Sequence, residues 1–358
     1  MARIASIAPV LPPHSYRQSD ITATIAPLLT ADPRRRAVIE RVHAGTGIAT
    51  RHTALPLDAY ASLATFEDAN DAFLREGLAL AGTACREALA DAGLTPADVD
   101  FVLFTSITGI GAPSLDALLV EHLGLRNDVR RIPVFGLGCV AGAAGIARVR
   151  DYLQGHPQDV ALLVSVELCS LTLQRGDDSM ANVVSSGLFG DGAAAAVMVG
   201  ADRAPDVGGV DVVDSRSALY PDTAGMLGWD IGGSGFRIVL AASLADVVEQ
   251  HLGPDVTDLL AAHGLKASDV GTWVAHAGGP RILEAAARSL ELPDRSFAAS
   301  WESLARVGNL SSASVLHILA ERLREGDHVP GSPGVLFAFG PGVSAEAVLL
   351  RWPEEVVA

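Results

Sequence analysis

Helical patterns and buried-strand patterns alternate along the first half of the 358-residue chain. Four stretches place apolar residues at helical spacing: 18–42 (interrupted by "DPRRR"), 67–92, 114–123 and 140–154. Three near-continuous apolar runs are typical of strands buried on both faces, and they lie at 101–108, 131–137 and 159–168. The alternation predicts an α/β protein whose sheets are covered by helices.

The second half of the chain repeats this alternation. Its helical patterns lie at 241–264, 280–290 and 311–325, and its strand patterns lie at 271–279, 334–340 and 344–352. Two segments also resemble each other, "ADVDFVLFTS" at 97–106 and "SDVGTWVAHA" at 268–277. This weak internal repeat indicates a duplicated α/β unit.

The composition of the chain limits the kinds of molecule that it can bind. Hydrophobic residues make up 49% of the chain, which is ample for a large core. The net charge of −16 argues against nucleic acid or an anionic membrane as a partner. Because Lys266 is the only lysine, we expect arginine to hold any phosphate-bearing ligand.

The three cysteines, Cys85, Cys139 and Cys169, are too few for a disulfide framework and fit a reducing compartment. The start of the chain, "MARIASIAPVLPPHSY", lacks the long apolar core of a secretion signal. No run reaches the roughly 18 apolar residues of a membrane span. We therefore expect a soluble cytoplasmic protein.

Cys139 is the first candidate for chemistry, in "VFGLGCVAGAAGIARVRDYL" at 134–153. A buried cysteine is often only a small apolar residue, and that interpretation stays open on this stretch alone. However, a strand, a glycine turn and a helix start would project the thiol between layers, as in nucleophile elbows. The free N–H groups at a helix start would also favour a thiolate.

His276 and Asn309 are the second and third candidates. His276 closes a predicted buried strand before a Gly-Gly-Pro turn, where its imidazole could pair with a thiolate or hold a carbonyl oxygen. Asn309 precedes Ser-Ser and an apolar helix, so it could simply be a helix cap. Alternatively, its amide could share an oxyanion with His276.

Five motifs occur in the order found in one known family: "GLGCVAGAAGI" at 136–146, "GLFGDGAAAAV" at 187–197, "HAGGPRIL" at 276–283, "GNLSSASVL" at 308–316 and "FGPGVSAE" at 339–346. With them the chain resembles the type III polyketide synthases, which are chalcone synthase-like enzymes. The resemblance implies the thiolase-like fold, with duplicated βαβ halves in five layers (αβαβα), and a homodimer. We expect the halves to be 1–205, with the cysteine, and 206–358, with the histidine and asparagine.

The resemblance also implies roles for the three candidates. Cys139 would accept an acyl group from a CoA thioester, and His276 would hold it as a thiolate. His276 and Asn309 would stabilise the enolate that forms when malonyl-CoA loses CO2, and the enolate would attack the acyl-cysteine. CoA thioesters are substrates in this scheme, and we expect no cofactor and no metal.

Further positions carry an implied role in substrate binding. Phe189 and Phe236 match the aromatic gatekeepers of the family, and Cys169 and Thr172 match its elongation cavity. The others are Ser311 near the catalytic pocket, Gly340 in the "FGPG" loop, Arg41 for the CoA phosphates, and Gly279 and Arg281 along the pantetheine arm. "GMLGWDIGG" at 225–233 departs from the plant pattern and puts chalcone-type specificity in doubt.

The small or aliphatic residues at these positions favour an aliphatic acyl-CoA starter, with a pyrone or resorcinol-type product. Three alternatives stay open. The first is a tetrahydroxynaphthalene synthase that uses malonyl-CoA as its starter. The second is β-ketoacyl-carrier-protein synthase III, although that enzyme usually shows His-Gln-Ala-Asn where this chain has His-Ala-Gly-Gly. The third is a catalytically inactive thiolase-like subunit.

Overall fold

The computed structural model describes residues 1–326 and 328–354, so residues 327 and 355–358 of the expected second half lie outside the described residues. The strands are β1 (Ala2–Val10), β2 (His14–Arg17), β3 (Thr50–Thr53), β4 (Phe101–Thr105), β5 (Arg130–Val134), β6 (Val160–Leu168), β7 (Asp191–Val199), β8 (Val210–Leu219), β9 (Leu227–Gly232), β10 (Gly235–Leu240), β11 (Thr272–Ala275), β12 (Pro333–Gly340) and β13 (Ser344–Arg351). The helices are α1 (Gln18–Leu29), α2 (Pro33–Ala44), α3 (Phe66–Asp91), α4 (Leu115–Leu123), α5 (Ala141–Gly155), α6 (Met180–Leu188), α7 (Leu244–Ala261), α8 (Pro280–Ser289), α9 (Ala298–Val307) and α10 (Ser314–Glu325).

Nine strands form one continuous mixed sheet in the order β11-β12-β13-β8-β1-β7-β6-β4-β5. Strands of the two chain halves meet where β1 pairs with β8, over only three residue pairs from Ala2 to Ile4. The remaining strands form two hairpin-like pairs, β9 with β10 and β2 with β3. The α/β prediction is therefore confirmed, and the two halves share one sheet.

Helices α5 and α10 form the middle of the molecule, because each contacts strands from both halves of the sheet. Helix α5 packs on β4 and β6 and also on β8, β12 and β13, while α10 packs on β1 and β7 and also on β11 and β12. Helix α3 covers β1, β6 and β7 on one outer side, and α7 covers β8 and β13 on the other. This gives the five alternating layers that the sequence predicts.

Small residues allow the central helices to approach their neighbours. A Cβ atom on Gly142 of α5 would lie 2.2 Å from the carbonyl oxygen of Ser312, and one on Gly145 would lie 2.5 Å from Leu163. The Ser312 carbonyl is backbone and cannot turn aside, so only glycine fits at 142, whereas a Cβ at 145 would require the Leu163 side chain to move. The run of glycine and alanine in α5 therefore sets the distance between this helix and the start of α10.

The internal repeat corresponds to two similar structural units. Strands β4 and β11 each follow a short 3₁₀ turn, Pro96–Asp98 in the first half and Ala267–Asp269 in the second. In each turn the last aspartate accepts a hydrogen bond from a backbone N–H three residues earlier, Thr95 or Lys266. Both strands then pair in parallel with a neighbour, β4 with β5 and β6, and β11 with β12.

Among the described residues, no helix is both long enough and apolar enough to cross a lipid bilayer.

Candidate active site

Cys139 lies in a 3₁₀ turn, Gly138–Val140, directly before α5. Gly136 and Gly138 have positive φ values of 99° and 56°, which glycine adopts without strain. A Cβ atom on Gly138 would lie 2.6 Å from Cδ of Pro341, so the turn packs directly against the "FGPG" loop. The predicted strand, glycine turn and helix start are all present.

His276 follows the last residue of β11 and is buried. Its backbone N–H donates to the carbonyl of Phe337 in the neighbouring strand β12 (2.9 Å), which fixes the position of the residue. Its Nδ1 atom is buried without a hydrogen-bond partner. Burial lowers the pKa of the imidazole to about 4, so the ring is neutral at pH 7.

Asn309 combines the two roles that the sequence leaves open. Its side-chain Oδ1 accepts the backbone N–H of Ser311 (2.8 Å), as a helix-capping residue would. Its backbone bridges to the end of α6, donating to Leu188 and accepting from Gly190. Since Oδ1 is occupied by the cap, the two N–H groups of Nδ2 lie on the opposite side of the amide and can serve a ligand.

A buried hydrogen-bond network begins at the Cys139 thiol. The Sγ atom donates to the Ser311 hydroxyl (3.4 Å), and that hydroxyl donates to Glu167 (3.2 Å). Glu167 is fully buried, and it also accepts hydrogen bonds from the backbone N–H of Ile107 and the Thr108 hydroxyl. Burial raises the pKa of the Cys139 thiol to about 12, and the negative charge of Glu167 acts in the same direction.

The ion pair that we expect between a Cys139 thiolate and His276 stays a prediction. In the described part of the chain the two side chains share no hydrogen bond, and the thiol donates to Ser311. Burial raises the pKa of the thiol and lowers the pKa of the imidazole, so it opposes charge on both groups.

Two cavities meet at Cys139, and a third adjoins them. The outer cavity is lined by Cys139, His276 and Asn309. The central cavity is lined by Cys139 together with Thr108, Ser311 and Trp229 among others. The inner cavity has Arg51, Tyr60 and Ser170 in its wall. The structure thus places all three predicted catalytic residues around one space.

Most of the predicted binding residues line these cavities. Phe189 lines all three, which is the position a gatekeeper needs. Cys169 and Thr172 line both the central and the inner cavity, Ser311 lines the central cavity, and Gly279 and Arg281 line the outer cavity.

Two other predicted residues lie beside the cavities. A Cβ atom on Gly340 would lie 2.3 Å from the carbonyl oxygen of Leu137, so this glycine supports the Cys139 turn. Arg41 is exposed on α2, and its neighbours Val42 and Gly45 line the outer cavity. A position near the mouth is compatible with the CoA role that we expect for Arg41.

Phe236, which we expect to be a second gatekeeper, lines none of these three cavities but lines a further cavity that shares Tyr60, Ser170 and Thr172 with the inner one. It is buried on β10 against Phe66, with ring centroids 5.3 Å apart, and against Phe135 and Trp229 at 6.0 and 5.9 Å. The hairpin register pairs Phe236 with Ile231 and Ile238 with Trp229. This pairing puts Phe236, Ile238 and Trp229 on one face of the hairpin, where Trp229 and Ile238 line the central cavity and Phe236 packs against Trp229.

The sequence analysis missed three residues of the site: Glu167, Trp229 and Arg51. Trp229 lies in the stretch that departs from the plant pattern, and its Nε1–H donates to the carbonyl of Ile107 (3.0 Å). That departure is the one signal that could have pointed to Trp229. Glu167 sits inside a fully buried strand, where an unpaired acidic residue is rare and could have been noticed.

The fold and the site together define a thiolase-like acyl-transfer enzyme with a cysteine, a histidine and an asparagine around one cavity. Comparison with known proteins makes the class more specific. Residues 1–203 match the N-terminal domain of chalcone and stilbene synthases, and residues 211–353 match the C-terminal domain of the same family. The chain belongs to the chalcone and stilbene synthase family and is a type III polyketide synthase, an acyltransferase.

Relatives with named activities match nearly the whole chain. It is 55% identical to 1,3,6,8-tetrahydroxynaphthalene synthase of Streptomyces peucetius subsp. caesius over 98% of this chain and 93% of that protein. It is 34% identical to the alpha-pyrone synthesis polyketide synthase-like Pks18 of Mycobacterium tuberculosis, over 98% and 91%. The crystal structure of tetrahydroxynaphthalene synthase from Streptomyces coelicolor superposes with a TM-score of 0.92, at 33% identity, covering 99% of this chain and 100% of that one. These matches select the polyketide synthase among the alternatives that the sequence left open.

Proposed function

We propose that the enzyme uses malonyl-CoA both as starter and as extender and makes a tetrahydroxynaphthalene-type product. The observation that carries the proposal is the 55% identity to a tetrahydroxynaphthalene synthase along almost the entire chain. The aliphatic starter, which the sequence analysis favoured, has weaker support from the 34% identical alpha-pyrone relative.

The polarity of the inner cavity also favours a malonyl starter. Its wall contains the polar side chains of Arg51, Tyr60, Ser170 and Asn182, all beyond the central cavity as seen from Cys139. Tyr60, Ser170 and Asn182 already hydrogen-bond within the protein, but a long alkyl chain placed there would leave Nη2 of Arg51 without an acceptor, at a cost of roughly 1–3 kcal/mol. A chain that carries oxygen atoms along its length avoids this cost.

In the loading step, the Cys139 sulfur attacks the thioester carbonyl of the starter. Because burial disfavours charge on both the thiol and the imidazole, His276 takes the thiol proton as the carbon–sulfur bond forms. The CoA thiolate leaves, and the protonated His276 returns that proton to it. The products are an acylated Cys139, free CoA and a neutral His276, ready for the next step.

In the extension step, a second malonyl-CoA enters the outer cavity and loses CO2. The electron pair of the broken carbon–carbon bond forms an enolate, whose oxygen accepts hydrogen bonds from His276 and from Nδ2 of Asn309. The enolate carbon then attacks the thioester carbonyl of Cys139, which releases the Cys139 thiolate and leaves the chain, two carbons longer, on CoA. The Cys139 thiolate then attacks this CoA thioester, so the chain returns to Cys139 and CoA leaves as its thiolate. Each such oxyanion donor contributes roughly 100- to 1,000-fold in rate.

We also propose that two copies of the chain associate through the surface around β5. This strand ends the large sheet, so its outer edge has no partner strand among the described residues. Three apolar side chains on or next to it are at least a third exposed: Ile132, Phe135 and Leu137. An unpaired edge carrying exposed apolar residues is the surface that a second copy would cover.

The proposed function is tested by incubating the purified protein with isotopically labelled malonyl-CoA alone and analysing the products by mass spectrometry. We expect a fully labelled cyclised polyketide, and none from a Cys139→Ala variant. A protein that forms product only after an aliphatic acyl-CoA is added would contradict the malonyl starter and support the alpha-pyrone alternative. Product formation from a series of acyl-CoA starters, from acetyl to long chain, is measured in parallel and shows which starter the enzyme prefers.

A further inference from the structure

The inner cavity contains a buried cation that neither loading nor extension uses. Arg51 lies in β3 and is only 4% exposed. Its Nε donates to Oε1 of Gln18 (2.9 Å), and its Nη1 donates to the carbonyl of Phe189 (2.5 Å). Its third nitrogen, Nη2, is buried without a hydrogen-bond partner in a residue that lines the inner cavity.

No carboxylate of the described residues lies within ion-pair distance of Arg51. Asp191 is the acidic residue with the largest electrostatic effect on it, and it opposes the lowering of the arginine pKa by burial. However, the Asp191 carboxylate already accepts hydrogen bonds from the backbone N–H groups of Ala54 (2.6 Å) and Ser170 (2.8 Å). The guanidinium group therefore keeps its charge while one of its nitrogens lacks an acceptor, which is costly inside a protein.

The position of Arg51 relative to Cys139 suggests which acceptor it meets. The central cavity, which Cys139 lines, shares the side chains of Cys169, Thr172 and Phe189 with the inner cavity. An acyl chain on Cys139 that occupies the central cavity has its far end directed towards this shared wall. Each extension adds two carbons at the thioester end and moves the far end further from Cys139.

A malonyl starter differs from an alkanoyl starter at that far end. It joins Cys139 through its thioester carbonyl without losing CO2, so the chain it begins carries a free carboxylate at the end remote from the sulfur. We propose that Arg51 binds this terminal carboxylate through Nη2 once the chain has grown into the inner cavity. This inference rests on the proposed malonyl starter. It adds a residue that binds the far end of the growing chain and so affects how long the chain becomes.

Two consequences follow from a carboxylate held at Arg51. The far end of the chain is fixed, so the intermediate stays extended while further units are added instead of cyclising early. A chain begun by an alkanoyl group has no such anchor and leaves the Nη2 group unsatisfied. Arg51 thus favours malonyl-primed chains at the longer intermediates, after the first loading step.

The test compares chain lengths in variants. We measure by mass spectrometry the ratio of full-length to short products, once with malonyl-CoA alone and once with butanoyl-CoA as added starter. Arg51→Gln should lower the malonyl-primed ratio at least about tenfold, the size of one hydrogen bond to a charged group, and change the butanoyl-primed ratio far less. Arg51→Lys, which keeps the charge, should recover most of the malonyl-primed ratio.

Arg75→Gln is the matched control, because Arg75 is an exposed arginine paired with Glu76 and far from the cavities. If Arg51→Gln lowers both ratios equally, Arg51 only holds the Phe189 carbonyl and the proposal is wrong. Unchanged ratios would overturn it as well. If the wild-type protein makes no product from malonyl-CoA alone, the proposed function itself fails. That result differs from one in which the wild type makes product and Arg51→Gln shows the same product ratios, which would refute only the role of Arg51.

A second measurement uses only the wild-type protein, in case Arg51→Gln does not fold. Succinyl-CoA and its methyl ester are offered as starters with malonyl-CoA as extender, and the extension of each chain is followed by mass spectrometry. The two starters differ in the charge at the far end and in one methyl group. We expect the carboxylate-bearing chain to be extended at least about tenfold more efficiently. Equal extension of the two, or no extension of the succinyl chain, would refute the carboxylate site.

Discussion

At the scale of single residues, Asn309 shows how one side chain can carry both a structural and a chemical function. Its Oδ1 holds the N–H of Ser311 and so shapes the start of α10, while its Nδ2 group remains for the enolate. The two functions can be separated, because aspartate keeps the oxygen acceptor and removes both N–H donors.

We therefore predict that Asn309→Asp lowers the rate of malonyl-CoA decarboxylation by roughly 100- to 1,000-fold. Acylation of Cys139 should persist, since the thiol and His276 are unchanged. The measurement is release of labelled CO2, with Asn309→Ala as the variant that loses cap and donors together. Release at the wild-type rate from Asn309→Asp would show that Nδ2 does not stabilise the enolate.

The sequence alone predicts those functional residues that lie in a recognisable motif formed by their neighbours in the chain. Cys139, His276 and Asn309 each sit at the end of a strand or the start of a helix, in a short recognisable motif. Arg51 and Glu167 could not be found in this way, because their partners are 138 and 144 positions away in Phe189 and Ser311. Only the folded chain brings those groups together.

At the scale of secondary-structure elements, α5 positions Cys139 by its close approach to the start of α10. Gly142 faces the Ser312 carbonyl, and no side chain fits between them. Gly155, at the exposed end of the same helix, has open space around the position of its Cβ. The two glycines therefore form a matched pair for the same substitution.

Gly142→Ala should destabilise the protein by about 1–3 kcal/mol, because the added methyl group forces α5 away from Ser312. Gly155→Ala should be neutral or stabilising by less than about 1 kcal/mol. Chemical denaturation of both variants measures the difference. Equal stability of the two would mean that the contact of α5 with Ser312 is not tight.

Helix α10 gives a pH-dependent prediction. His317 is buried on this helix, its Nε2 lies 2.8 Å from the carbonyl of Ala193, and burial lowers its pKa from 6.5 to about 4. Between these values the unfolded chain binds a proton that the native chain does not, so the stability contributed by the neutral ring falls as pH falls from 6.5 towards 4.

Replacing His317 with Gln removes this titration while keeping an N–H that can donate to Ala193. Between pH 6 and pH 5, the free energy of unfolding of the wild type should decline more steeply than that of the variant, by about 1.4 kcal/mol per pH unit. Denaturant titrations across this range measure both slopes. Parallel slopes would show that His317 is protonated in the native state.

The sequence predicts most elements well and their pairing less well. Continuous apolar runs identify β6 and the helical period identifies α3, because both are long and regular. The sequence does not predict the β9–β10 hairpin, because most of its residues are at least partly exposed and its apolar and polar residues do not clearly alternate. Its register puts Trp229 beside Ile238 in the wall of the central cavity, and a register is set by tertiary packing.

At the scale of the whole molecule, the exposed apolar edge around β5 predicts self-association. The protein should elute as a dimer when its mass is measured by light scattering. Ile132→Asp should shift it towards the monomer, because a charge would be buried at the interface. Val329→Asp changes an apolar residue elsewhere that is even more exposed than Ile132 and should leave the dimer intact. A wild-type monomer, or a dimer insensitive to Ile132→Asp, would place the contact elsewhere or exclude it.

The three cavities form a path through the molecule, which runs from the outer cavity past Cys139 and Phe189 to the inner cavity with its polar side chains. The two halves of the sheet each supply part of this path, the first half with Cys139 and Phe189, and the second with His276 and Asn309. The sequence alone predicted that these residues meet, but the polar end of the path emerged only from the fold. That polar end is the physical reason to prefer a malonyl starter over an alkyl one.

The most direct test of this account is the mass of the group first attached to the enzyme. Asn309→Asp protein, in which extension should be blocked, is incubated with malonyl-CoA, digested and mapped by mass spectrometry. The account predicts one intact malonyl group, with its carboxylate retained, on the peptide that contains Cys139. An acetyl group on that peptide, or acylation of Cys169 in its place, would contradict it.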